Sequence, residues 1–265
     1  MTAIPHPQFK YLPALFTITA KTNLHAGAGG ENYGVIDNMI QRDPASGFPC
    51  IYASSIKGAL KEFFRGFGSD YDELITYIFG NERGADEEPN KYKQQAGHYR
   101  FLQADLLTIP KPGKNQMFEN ITSAALIDHF KATLALFNQS LDQLEHVFGA
   151  QALSNQEENS KFIERISDFE LPVIARNSLE NGQSENLWYE QILPRETQLF
   201  FIVLYPNPAL AQKEAERSQL EAYFETFRNA LSSHMVQIGA NASVGYGLCQ
   251  LQYIQLMPIS EPANQ

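Results

Sequence analysis

Cysteine is nearly missing from this 265-residue chain. Its two copies, Cys50 and Cys249, stand far apart and form no C-x-x-C pair. That removes a disulfide framework and leaves reduced thiols in the cytoplasm as the expectation. No apolar run approaches the ~20 residues of a membrane span. Met1 to Pro7 has neither the basic start nor the apolar block of a signal peptide, so no membrane partner is expected. A G-x-x-x-x-G-K-[ST] phosphate loop is missing, which excludes the common route to nucleotide hydrolysis. The histidines form no H-x-x-x-H or H-E-x-x-H pattern and so no preformed protein-only metal cage. Cations are scarce as well: 20 Lys and Arg stand against 30 Asp and Glu, a net charge of -10. A broad basic surface for a polyanion is therefore excluded. Contacts made by backbone N–H groups and a few placed cations need no such surface.

What is present is an ordinary globular composition, 43% hydrophobic and 19% charged, of a length that suits one elaborated domain over residues 1–265. Tyr11 to Thr22 alternates as a strand, with Leu12, Ala14, Phe16 and Ile18 on one face. Ser54 or Ser55 can cap a helix whose apolar face is Ile56, Leu60, Phe63 and Phe64, ending near Gly66. Asp72 to Phe79 reads as a short helix stopped by Gly80. Asn81 to Gly97 reads as a loop. Tyr99 to Ile109 reads as a strand ended by Pro110, Ala132 to Phe148 as an amphipathic helix ended by Gly149, and Gln151 to Lys161 as another loop. Thr197 to Tyr205 has the continuous apolar character of a central strand. Ala209 to Met235 is helical in spacing, and Gly247 to Leu256 is a last strand. Insertions aside, the order is strand, helix, strand, strand, helix, strand: an α+β, ferredoxin-like or RRM order. The expected central strand, Thr197 to Val203, lacks the Lys/Arg-Gly-Phe stacking pattern of RRM proteins, so RNA is not expected on that sheet by that route.

Two glycine-rich stretches punctuate the ends. The first is His25-Ala26-Gly27-Ala28-Gly29-Gly30, followed by Ile36-Asp37-Asn38-Met39-Ile40-Gln41-Arg42 and then by Pro49 to Gly58 with Ser54, Ser55 and Lys57. The second is Gly239-Ala240-Asn241-Ala242-Ser243-Val244-Gly245-Tyr246-Gly247. Glycines let a backbone approach a ligand closely and turn its N–H groups outward, which suits phosphate oxygens; they can also simply turn the chain. A dinucleotide fingerprint would need a helix to open at the glycines, and residues 31–37 have no helical period. Lys57 lies near a helix N-terminus, where an anion is favoured, with Lys61 and Arg65 on the same face. Arg176 to Glu190 reads as two strands around the polar turn Asn181-Gly182. Trp188 within it is core by default.

This ordered set of motifs, with Leu187-Trp188-Tyr189-Glu190-Gln191-Ile192-Leu193-Pro194 completing it, resembles the RAMP family, the RNA-binding backbone proteins of CRISPR effectors. Within that family it is most similar to the repeated, target-cleaving backbone subunit of type III-B (Cmr) complexes. The resemblance implies a modified ferredoxin-like palm with glycine-rich loops and, at 176–190, an inserted thumb hairpin. It implies guide RNA and target RNA as ligands, and further copies of the same chain and the large polymerase/cyclase-type subunit among the partners. It places the catalytic aspartate at Asp37, as ligand of a divalent cation (Mg²⁺) or as a group that orients the ribose 2′-OH; without it Asp37 is an ordinary turn residue. His25 is then a proton donor, a phosphate contact or a structural residue. RNA contacts are implied for Gly27, Gly29, Gly30, Arg42, Ser54, Ser55, Lys57, Lys61, Arg65, Arg176, Trp188, Gly239, Asn241, Gly245, Tyr246 and Gly247. Ala240 replaces a family glycine, and Gln191 a frequent second glutamate. The alternatives are a non-catalytic RNA-binding RAMP subunit that caps or extends the filament, and a guide-processing nuclease; neither requires the Ile36 to Arg42 motif.

Overall fold

The computed structural model describes residues 10–29, 35–81, 96–154, 156–167 and 170–259. In chain order the elements that build the palm begin with β1 (Tyr11–Ala20), β2 (Cys50–Ile51), α1 (Ala53–Arg65) and α2 (Asp72–Phe79). Then come β3 (Arg100–Phe101), β4 (Ala104–Pro112), β5 (Phe118–Ile121), α3 (Ala124–Ala135), β6 (Gln139–Ser140), α4 (Glu145–Phe148), α5 (Ala150–Ser154) and α6 (Gln156–Ser167). The last part holds β7 (Val173–Glu180), β8 (Gln183–Gln191), β9 (Gln198–Pro206), α7 (Glu214–Ser233), β10 (Met235–Gln237) and β11 (Leu248–Ile254).

The main sheet runs β10-β11-β1-β9-β4-β2, with every described pairing antiparallel. Its four long strands, β11-β1-β9-β4, are the fourth, first, third and second of the ferredoxin-like order, so the expected α+β architecture is met. β1 and β9 sit at the centre and are apolar on both faces, because helices cover both. On one face α1, α2 and α7 bring Ile56, Leu60, Phe64, Ile78, Phe227 and Leu231 against Phe16, Ile18, Phe201 and Val203. Phe227 stacks on Phe64 with ring centroids 5.5 Å apart, which locks α7 to α1. On the other face α3 and α4 pack Phe130, Leu134 and Phe148 against Leu15, Phe200 and Ile202.

Several expectations need correcting. α1 begins at Ala53, before either expected cap: Tyr52 occupies the N-cap position, and Ser54 and Ser55 lie inside the helix. The single strand expected over 99–109 is two, β3 and β4, broken at Leu102 and Gln103, and the second continues through Pro112. Beyond Thr108, β4 has parted from β9 and pairs only with β5, so a proline without an N–H costs no ladder bond on the open side. The long helix expected over 132–148 is two helices. Ser123 caps α3 by accepting from the Leu126 N–H, and the chain turns at Asn138, whose φ is +53°. The expected loop at 151–161 is largely helical, since Ala152, Ile163 and Ile166 give α5 and α6 buried faces. The expected loop at 81–97 falls mostly outside the described residues.

Candidate nucleic-acid interface

β7 and β8 form a ribbon of their own, paired from Val173–Gln191 to Glu180–Gln183, with a register shift between Ser178 and Leu179. Asn181 and Gly182 turn it with φ values of +52° and +81°, the left-handed region in which Asn-Gly is at home. The foot of this hairpin is where the separated sequence motifs meet.

The Asp37 segment runs beside β8. The N–H groups of Asp37 and Asn38 donate to the Tyr189 carbonyl at 3.0 and 3.1 Å, and the Gln191 N–H donates to the Asn38 carbonyl at 2.8 Å. The Asp37 carboxylate in turn accepts the Tyr189 N–H at 2.7 Å through Oδ2. That clasp fixes the orientation of an exposed carboxylate, whose Oδ1 makes no hydrogen bond to a described residue. Residues 26–28 pair antiparallel with residues 39–41 through Ala28 N–H to Met39 and Gln41 N–H to Ala26, both at 2.8 Å. His25, bonded at Gln191, and Asp37, bonded at Tyr189, are held two residues apart along the same hairpin strand.

His25 itself is buried. Its Nδ1 lies 2.7 Å from the Gln191 carbonyl, which can only accept, so Nδ1 carries the proton there. Nε2 faces Glu190 Oε1 at 3.6 Å. Glu190, 3% exposed, is the hub of the site. Its Oε2 accepts from Arg176 Nη1 at 2.9 Å, and Asn241 Nδ2 donates to both carboxylate oxygens at 2.9 and 3.0 Å. The Arg176 guanidinium also lies over the Tyr246 ring, 5.2 Å from its centre. One buried, fully satisfied carboxylate thus ties the hairpin foot to both glycine-rich loops, as buried charges must be satisfied to persist.

A second buried hub is Gln41. Its Nε2 donates to the Gly27 carbonyl at 3.0 Å and to Ser55 Oγ at 2.9 Å, while Oε1 accepts the Tyr52 N–H at 2.6 Å. It fastens the first glycine loop to the start of α1. Glu190 and Gln41 both sit inside the motifs, yet nothing in the sequence alone marked them as hubs. The signal available was only their place within the motifs, each next to a large apolar or aromatic residue, Ile40 and Tyr189.

The family model of the RAMP superfamily matches residues 17–250. The chain belongs to the RAMP superfamily. It is 25% identical to the CRISPR system Cmr endoribonuclease Cmr4 of Pyrococcus furiosus, over 91% of this chain and 94% of that protein. It is 30% identical to the CRISPR system CMR subunit Cmr4 of Saccharolobus solfataricus, over 64% of this chain and 54% of that one. Its fold matches a chain in the cryo-EM structure of the type III-B Cmr-beta complex bound to cognate target RNA, with a TM-score of 0.67 at 21% identity, covering 92% of this chain and 98% of that chain. It also matches oligomeric Cmr4 from Pyrococcus furiosus, with a TM-score of 0.60 at 17% identity over 91% and 97% of the two chains.

In this RAMP chain the glycines fall into two groups. A side chain at Gly239 would put Cβ 2.4 Å from the His25 carbonyl oxygen, and one at Gly247 would put it 2.0 Å from that of Ile238. Gly27 lies against the His25 ring, 3.1 Å from Nε2. Gly239 and Gly247 are required by the chain's own packing, and Gly27 is tightly fitted against a side chain. Ala240, in place of a family glycine, causes no disturbance: its N–H donates to the His25 carbonyl at 2.9 Å. Gly29 and Gly245 instead face open space, with φ of +70° and +81°. Gly30 lies outside the described residues.

The candidate cations divide similarly. Arg42 is buried, with Nη1 donating to the carbonyls of Gly47 and Ile166 at 2.7 Å each, and burial lowers its pKa to about 10. Lys61 donates to the Gly80 carbonyl at 3.0 Å, and Arg65 pairs with Glu62 at 3.2 Å. Lys57 makes no hydrogen bond or ion pair with a described residue, and Ser54 beside it is exposed. Trp188 is half-buried, on the strand between Tyr189 and the exposed Leu187. Among the described residues no three acidic, histidine or cysteine side chains gather as a metal cage, and no helix is long and apolar enough to cross a membrane.

Proposed function

We propose that this chain is a repeated backbone subunit of a type III-B CRISPR ribonucleoprotein, holding guide RNA and cleaving complementary target RNA at Asp37. The observation that carries the reading is the clasp of Asp37 on Tyr189: an exposed carboxylate, oriented by backbone, at the foot of the hairpin where both glycine-rich loops meet. Family membership and a relative named as an endoribonuclease support the same reaction class. Further copies of the chain, the large polymerase/cyclase-type subunit and the other Cmr subunits are the partners this implies, in the cytoplasm.

In this mechanism Asp37 Oδ1 accepts the proton of a ribose 2′-OH as that oxygen attacks the adjacent phosphorus and the bond to the departing 5′-oxygen breaks. Oδ2 stays committed to Tyr189, which fixes the direction of the free oxygen. The hairpin holds a nucleotide apart beside the carboxylate of a neighbouring copy, and His25 acts through Glu190 as a positioning residue, since both its ring nitrogens face protein groups. The donor set suits a Mg²⁺ only in part: Asp37 is one carboxylate, and the remaining ligands would come from RNA phosphates and water, as this ion commonly arranges. Bound there, the ion would offset charge on the scissile phosphate. Lys57 and Ser54 at the start of α1, with Gly29 and Gly245, form the guide-facing set, because no described residue engages their side chains or occupies the space beside them.

Asp37→Asn keeps the shape of the side chain and removes its negative charge. In an assembled complex it should slow target cleavage by ~10²-fold or more, with guide content and assembly preserved. Cleavage at the parental rate in that complex would move the chemistry to another subunit and favour a non-catalytic backbone. Lys57→Glu should lower the guide RNA that co-purifies with a folded protein; unchanged RNA content would remove α1 from the guide surface.

A further inference from the structure

A cavity of about 780 Å³ opens between α2, α7 and the start of β1, sharing no residue with the hairpin-foot site. Its walls combine aromatic rings with carboxylates. Tyr77 and Tyr223 meet with ring centroids 4.9 Å apart, and His98 stacks on Tyr77 at 4.3 Å. Asp72, Glu73 and Glu216 line the same space, against the single ammonium of Lys10. Glu73 is partly engaged, accepting from the Tyr223 hydroxyl and from Gln219. Asp72 and Glu216 make no hydrogen bond or ion pair with a described residue.

Helix dipoles account for acids at the start of α2 and of α7. They do not account for those two helix starts, with Tyr77 and Tyr223 further along the same helices, converging on one concave space. The rim already shows the matching chemistry once: the Arg100 guanidinium lies 4.1 Å from the centre of the Tyr11 ring. A planar guanidinium combines ring stacking with paired hydrogen bonds to carboxylates, which a lysine ammonium does less well.

We propose that this cavity docks an arginine side chain presented by a protein partner. Three carboxylates oppose an RNA phosphate here, so the surface separates protein docking from RNA binding on the same subunit. Desolvation and the neighbouring Tyr223 and Glu216 push the Tyr77 hydroxyl up to about 12, consistent with a wall that disfavours further negative charge.

The test is a titration of the full chain with a blocked Gly-Arg-Gly tripeptide, followed by NMR of ring-labelled tyrosines. The expected result is a saturable shift of Tyr77 and Tyr223. The citrulline analogue, which keeps shape but not charge, should bind roughly tenfold more weakly, and so should the Asp72→Asn/Glu216→Gln double variant. Neither side chain pairs with a described residue and each is a first-turn helix acid, so the variant should melt only slightly below the parent. Equal binding of the arginine and citrulline peptides, or undiminished binding by the double variant, overturns the proposal. A change in self-association of the double variant without a change in peptide affinity would assign the cavity to a second copy instead, and a uridine oligonucleotide displacing the peptide would assign it to RNA; either result also overturns it. Because no residue of the hairpin foot is involved, failure here leaves the cleavage reading untouched.

Discussion

Glu190 and Asp37 are carboxylates held by the same hairpin foot, and their surroundings are opposite. Glu190 is buried, with Arg176, Asn241 and His25 around it. Asp37 is exposed, with one oxygen fixed by a single backbone N–H. A buried carboxylate whose lone pairs are all committed can hold a structure together but has nothing left to offer a ligand. An exposed one with a fixed direction and a free oxygen has little structural weight and is available for chemistry. The division of labour follows from solvation, and it is visible only when the two are seen side by side.

The largest effect that would break this comparison is at Glu190. Glu190→Ala leaves Arg176 facing Asn241 and His25 without its counter-charge, and stability should fall by about 3 kcal/mol, the lower end for a broken buried pair because Arg176 reaches solvent. Chemical denaturation measures this, and hydrogen exchange should quicken in both glycine-rich loops together. Asp37→Asn, by contrast, should leave the unfolding midpoint within the error of the parent. A Glu190 variant as stable as the parent would remove the hub.

Much of the palm was legible from the chain. Alternation and apolar runs found β1, β9 and β11, and Gly66 and Gly80 marked the ends of α1 and α2. The strand order followed from those. The segment 124–167 was misread because its helix boundaries depend on Ser123, Asn138 and the burial of Ile163 and Ile166, which are tertiary facts. At the site, the motifs located the residues but not their roles. Glycine spacing looks the same whether the glycine meets a carbonyl of its own chain, as Gly239 does, or open space, as Gly245 does. Arg42 reads as a phosphate contact in sequence and is a buried clamp on two carbonyls in the fold.

The glycines offer a smaller test of the same contrast between committed and available groups. Gly239→Ala must displace the His25 carbonyl and also adopt a strained φ of +84°, so it should cost clearly more than Gly245→Ala, where only the φ of +81° opposes the methyl. That latter strain is about 1–2 kcal/mol. Paired thermal melts of the two variants decide it. Equal losses would mean that the loop yields freely around His25, and the tight packing of Gly239 would then carry no weight in shaping the site.

The smallest effect calibrates what a partly exposed imidazole–carboxylate pair is worth on this protein. His129 Nε2 lies 2.9 Å from Asp105 Oδ2, and the imidazole is 52% exposed. The hydrogen bond to Asp105 raises the His129 pKa above its ordinary value of 6.5. A group raised in the folded state contributes stability that is fully present below its unfolded pKa and lost as pH rises through the folded one. The parent should therefore melt slightly above His129→Gln in mildly acidic buffer, and the gap should close as pH rises past the raised His129 value. Gln103 still donates to Asp105 Oδ1 at 2.7 Å, so the variant does not strand that carboxylate. The gap should stay within the ~0–1 kcal/mol of surface pairs. A gap as large as that of Glu190→Ala would show that burial is not what separates the two carboxylates at the hairpin foot. A gap that widens toward alkaline pH would reverse the sign and show that His129 is held neutral.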